Sequence, residues 1–173
     1  MQANQIDSSL YERWERIDGV IFDMSPPPSS VHQRIVGNLF AVFHAHLKQK
    51  SCQVFVAPFG VWLDSEENGN YVEPDITIIC NPNLILEKGC WGTPDMVIEV
   101  LSPSTGKKDR TVKLKRYRLS GVKECWLVDP TNQTVEVYQF SDNLFSEPQV
   151  YDQEDQVRVT LFEEIIINLH DVF

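Results

Sequence analysis

The sequence predicts an α/β fold, and three observations predict it. Residues 29–50 carry apolar side chains at Val31, Ile35, Leu39, Val42, Phe43 and Leu47, close to helical spacing. The central runs "DITIIC" and "DMVIEVL" are short, β-branched and apolar, as interior strands are. "KKDRTVKLKRYRLSG" reads as a second helix between strands, with Gly121 in the stop position. Helix and strand alternate, which favours α/β over all-α or all-β.

In chain order, Ser8 or Ser9 is placed to cap a short helix through Arg16. Asp18-Gly19 in "RIDGVIFDM" is a tight-turn signal between two strand-like pieces. "SPPPSS" is a turn leading into the long helix. "CQVFVAPFGVWL" reads as two strands broken at Ala57-Pro58, followed by the polar loop "DSEENGN". "ECWLVDP" and "TVEVYQF" are strands around a turn, and "EEIIINLHDVF" is a short closing strand with some helical turn.

A length of 173 residues suits a single domain, so residues 1–173 are expected to form one. The first residues are polar and do not form a signal peptide, and no run approaches the roughly 18 apolar residues of a membrane helix. The expectation is a soluble, cytoplasmic protein. Cys52, Cys80, Cys90 and Cys125 form no C-x-x-C pair and read as buried thiols rather than disulfides or zinc ligands. His44 and His46 are two apart on the long helix and point to different faces. Net charge is −10, which argues against a general nucleic-acid binder. The charge is uneven, however. Lys107 to Arg118 holds seven basic residues and one acid, leaving −16 on the remainder. Screening confines fields to about 10 Å, so a local basic patch can still attract phosphate.

Alternation along "DMVIEVL" puts Asp95, Val97, Glu99 and Leu101 on one face and Met96, Ile98 and Val100 on the other. Glu99 therefore projects from mid-strand among apolar neighbours, and a buried carboxylate needs a partner. That partner is a Lys or Arg, a backbone donor, or a divalent cation. Asp75 heads the other apolar strand in "VEPDITII". If the strands are neighbours, Asp75 and Glu99 face each other and repel unless a cation such as Mg²⁺ lies between them. On the following helix Asp109, Lys113 and Tyr117 are spaced i, i+4, i+8. Lys113 is the lysine placed to reach back to the sheet; the alternative is one more solvated charge on a basic helix.

"VEPDITII", "GTPDMVIEVLSPST" and "KLKRYRLSGVKECWLVDP", with "IDGVIFDMSPPPSSVHQRI" upstream, resemble the Uma family of bacterial restriction-endonuclease-like proteins, in the PD-(D/E)XK superfamily. The resemblance covers about residues 17–140. It implies a restriction-endonuclease-like fold, a central mixed β-sheet flanked by helices. It also implies a Mg²⁺- or Mn²⁺-dependent endonuclease that hydrolyses DNA phosphodiester bonds. Asp75 would be the acid of the Pro-Asp motif and Glu99 that of the E-x-K half. The commonest lysine position of that half is Leu101 here, so Lys113 would take the role. Asp75, Glu99 and the Val100 backbone carbonyl would hold the metal. Tyr117 would support Lys113, and Glu73, Asp95 and His32 would be auxiliary. His32 would either contact phosphate or cap the long helix. Lys107, Lys108 and Arg110 are candidates for contacts to the DNA backbone. Val20 stands where relatives often have an acid. Together with Leu101 and the acidic net charge, it favours the alternative, a catalytically inactive module on the same fold that binds nucleic acid or a protein. Cleavage of two strands would favour a homodimer. The P-loop pattern fails around "STGKKD", and no G-x-S-x-G elbow exists.

Overall fold

The structure is a computed structural model that describes residues 13–24, 27–103, 105–141, 144–145 and 147–173. The described residues begin with strands β1 (Trp14–Ile17) and β2 (Val20–Asp23), then helix α1 (Ser30–Leu47). Strands β3 (Gln53–Val56), β4 (Gly60–Trp62), β5 (Tyr71–Val72), β6 (Ile76–Ile79), β7 (Ile85–Leu86), β8 (Gly89–Trp91) and β9 (Met96–Val100) follow. Helix α2 starts at Gly106–Lys108, widens into a π-turn at Asp109–Lys113 and continues through Leu114–Ser120. After it come β10 (Glu124–Asp129), β11 (Thr134–Ser141), β12 (Leu144–Phe145), β13 (Gln149–Asp152), β14 (Gln156–Arg158) and β15 (Ile166–Asn168).

The main sheet has the order β12-β11-β10-β9-β6-β3, with β13 also pairing with β11. Strands β9 and β10 are parallel, which is why a helix must cross between them. Strand β6 runs antiparallel to β9, with Ile76 opposite Ile98. One face of the sheet takes α1, whose Ile35, Leu39, Phe43 and Leu47 pack on Ile78, Ile98 and Trp126. Phe43 meets Trp126 edge-on at 6.1 Å. The long helix thus forms where its apolar period requires, capped by Ser29, whose hydroxyl accepts from the His32 amide at 3.2 Å.

The opposite face is shared. Leu114 and Tyr117 of α2 pack against Val97, Cys125 and Leu127. Ile17, Val61 and Val72 reach the same core from a second sheet, ordered β2-β1-β5-β4-β8-β7. The predicted alternation along β9 holds: Met96, Ile98 and Val100 join the α1 core, while Val97 and Leu101 join the α2 core. Glu99 therefore points to the α2 side. The expected mixed sheet between helices is present, and the second sheet is an addition.

Two expectations are corrected. Trp14–Ile17 is a strand, not the end of a helix, and Ser8 and Ser9 lie outside the described residues. The Asp18-Gly19 turn, with φ of 51° and 79°, folds β2 back onto β1 and recruits those residues into a hairpin. Cys52 and Cys80 form a disulfide, while Cys90 and Cys125 are the buried thiols. The antiparallel register that pairs Gln53 with Ile79 brings Cys52 opposite Cys80 one step further on. Ser25 and Pro26 of "SPPPSS" lie outside the described residues. No helix among the described residues is long and apolar enough to cross a membrane.

Gly121 ends α2 at φ 90°, and the space a Cβ would occupy there is open. Gly121→Ala is expected to lower unfolding free energy by about 1–2 kcal/mol through backbone strain alone, measured by urea denaturation. A neutral substitution would contradict the left-handed cap.

Candidate active site

Antiparallel pairing of β6 with β9 carries Asp75 to the position opposite Glu99, one step beyond Ile76 and Ile98. Both acids line a cavity of about 580 Å³, together with Arg13, Glu15, His32, Glu73, Lys108, Asp109 and Lys113. Asp75 is fixed through Oδ2, which accepts from the Val100 amide at 2.8 Å and meets His32 Nε2 at 3.2 Å. Burial lowers the His32 pKa, but the hydrogen bond to Asp75, that carboxylate's charge and the Val100 backbone outweigh it, so the net shift is upward. His32 is therefore neither the helix cap, which is Ser29, nor detached from the acids.

Lys113 is the organising cation. The π-turn keeps Asp109, Lys113 and Tyr117 turned inward, and all three are buried. The Lys113 ammonium is only 2% exposed and lies 2.6 Å from Glu99 Oε1, 2.7 Å from Glu15 Oε1 and 3.8 Å from Asp109 Oδ1. Tyr117 donates its hydroxyl to Glu99 Oε1. Burial works against the charge on Lys113, but Glu15 and Glu99 overcome it and hold its pKa well above the ordinary value. The reading of Lys113 as a solvated surface charge fails on this geometry.

Glu15 was not legible as a site residue. It is fully buried on β1 and uses both oxygens. Oε1 accepts from Lys113 and from the Glu73 amide at 3.1 Å, and Oε2 accepts from Lys108 at 2.7 Å. Burial raises its pKa, but Lys113 and Lys108 together bring it below the ordinary value. Glu15 is thus the ionised partner of two lysines. Glu99 is the acid in surplus: burial pushes its pKa up to about 8, Lys113 opposes the shift, and Asp109, Asp75 and Glu15 reinforce it. Burial raises Asp109 in the same way.

The remaining candidates separate. Glu73 lines the cavity, accepting from Arg13 at 2.8 Å and from the Tyr71 hydroxyl at 2.7 Å. Asp95 does not line it; this carboxylate binds the Cys80 amide at 2.7 Å and Lys123 at 2.6 Å. Lys108 points inward to Glu15, Arg110 pairs with Glu136 at 2.6 Å and Asp129 at 3.1 Å, and Lys107 is exposed. Val20 is 54% exposed on β2 and away from the cavity lining, so an acid there would not complete this cluster.

Among the described residues no three His, Cys, Asp or Glu side chains are arranged to hold a metal on their own. The donor set nevertheless fits a hard divalent ion. Mg²⁺ commonly takes one or two carboxylates and fills its remaining positions with water and phosphate oxygens. Asp75 engages its partners through Oδ2 and Glu99 through Oε1, so the second oxygen of each has no hydrogen bond among the described residues. Burial is the first cause of the raised Glu99 and Asp109, with neighbouring acids adding to it at Glu99, and a cation beside them would favour their charged forms.

Residues 5–170 match the Uma2 family model, described as "Putative restriction endonuclease". An uncharacterized protein of Synechocystis sp. is 29% identical over 133 residues, 76% of this chain and 68% of its own. The crystal structure of "a putative nuclease" from Anabaena variabilis superposes with a TM-score of 0.75 at 26% identity, covering 92% of this chain and 89% of that one. With a match over nearly its whole length and a solved relative of the same architecture, the chain belongs to the Uma2 family and has its nuclease-like, restriction-endonuclease-like fold.

Proposed function

We propose that the chain is a Mg²⁺- or Mn²⁺-dependent endonuclease that hydrolyses DNA phosphodiester bonds, with residues 1–173 acting as one domain. The observation that carries this reading is the meeting of Asp75 and Glu99, from adjacent antiparallel strands, beside an ammonium 2.6 Å from Glu99. Asp75, Glu99 and the Val100 carbonyl would hold the ion. When bound, such an ion offsets charge on a phosphoryl group and lowers the pKa of water.

The chain's own residues have separable tasks. His32 and the Val100 amide fix the Asp75 carboxylate. Tyr117 and Lys113 fix that of Glu99. Lys113 stays protonated, so it orients the attacking water and stabilises charge on the phosphate rather than removing a proton. Glu15 keeps that ammonium charged and in place. Lysine at 113 on the helix supplies what Leu101, buried in the α2 core, does not.

Two variants test the site directly. By calorimetry, Asp75→Ala weakens Mn²⁺ binding by more than about 10-fold, the smaller loss that a supporting residue alone produces. Equal binding by both forms would remove the metal site. Lys113→Met, with folding verified by circular dichroism, lowers divalent-dependent cleavage of single-stranded DNA by about 10²–10³-fold. Undiminished cleavage would remove Lys113 from the mechanism, and a wild type that binds metal without cleaving would favour the inactive binding module.

The pH dependence has a definite sign. In the unfolded chain Glu99 ionises near 4.5, and in the fold near 8. Between those values the folded protein retains a proton that the unfolded chain has lost, so this residue's contribution to stability falls as pH rises and levels off above about 8. In metal-free buffer, thermal unfolding of Glu99→Gln should gain on wild type across that window. A constant difference would contradict the surplus charge assigned to Glu99.

A further inference from the structure

The cavity also limits what can reach its floor. Its volume of about 580 Å³ is that of a small-ligand pocket. The side chains of the proposed chemistry lie deep: Asp75 is 19% exposed, Glu99 5% and Lys113 2%. The segment leading into α1 contributes Met24, Pro27, Pro28 and Val31 to the lining, and the loops after β9 and β10 contribute Pro103 and Pro130. These apolar groups, four of them prolines, suit the flat face of a base or sugar better than two rows of phosphates.

Charge points the same way. Binding to duplex DNA rests on several phosphate contacts made by a basic surface. Here Lys108, Arg110, Lys113 and Arg116, four of the seven basic residues between Lys107 and Arg118, are engaged in internal ion pairs. The chain outside that segment carries −16. Of the cations lining the cavity, Arg13 is the most open to solvent, at 41%.

We infer that the site takes unpaired, single-stranded DNA, with one nucleotide at a time reaching the floor, and excludes intact duplex. This rests on the nuclease reading and specifies its substrate. Duplex can enter only where a nucleotide is first unpaired and unstacked, at a cost in free energy.

Fluorescence anisotropy of the full chain in Ca²⁺ tests it. The probe is a labelled single strand of about 12 nucleotides, within the span of a small binding domain, compared with the same strand annealed to its complement. The single strand is expected to bind at least about tenfold more tightly. Val31→Trp adds bulk to the cavity lining from the first turn of α1 and leaves the acids and Lys113 unsubstituted. It should weaken single-strand binding by at least about tenfold while the melting temperature stays that of wild type. Equal or tighter binding of the duplex, or wild-type affinity in Val31→Trp, overturns the inference and leaves the nuclease reading standing. Binding of neither probe overturns both.

Discussion

One buried ammonium ties the molecule together. Lys113 joins Glu15 of the N-terminal hairpin, Glu99 of the main sheet and its own helix at a single point. Removing one partner of such a pair typically costs about 3–5 kcal/mol, because the remaining charge is left in the interior. The second sheet is therefore more than a cover for the α2 core. It delivers through β1 the carboxylate that keeps Lys113 charged. The Glu73 amide, donating to the same carboxylate, connects the residue before the Pro-Asp motif to this point.

The charge balance follows from that arrangement. Glu15 is matched by Lys113 and Lys108, so neither lysine fully neutralises Glu99. The excess is concentrated where Asp75 and Glu99 face each other across β6 and β9, with Asp109 behind Lys113. A structural ion pair alone would place one acid beside one base. Here carboxylates converge on one lysine, an arrangement that a divalent ion would relieve. The binding reading and the chemical reading thus share one origin in the same unbalanced cluster.

What the sequence disclosed depended on local period. Alternation of two placed Glu99 on the α2 side, and the i, i+4, i+8 spacing brought Asp109, Lys113 and Tyr117 onto one buried face. Asp75 was legible because it heads an apolar strand that proved to be the neighbour of β9. Glu15 was not, since "WERI" is too short to reveal its alternation and its partners are 93 and 98 residues away. The one usable signal was the Asp18-Gly19 turn, which makes the preceding residues a strand and turns Glu15 inward with Ile17. The disulfide was hidden for a similar reason, because the register of β3 on β6 is a tertiary fact. Within the basic run nothing in the sequence distinguished Lys107, which is exposed, from Lys108, which points to Glu15. One step around a helix separates a solvent-facing charge from a buried pair.

Anomalous diffraction from a crystal soaked in Mn²⁺ tests the central claim most directly. A peak is expected in the cavity within about 2.6 Å of one oxygen each of Asp75 and Glu99, inside the range of hard-cation ligation. The absence of a peak there, with both carboxylates ordered, would contradict it.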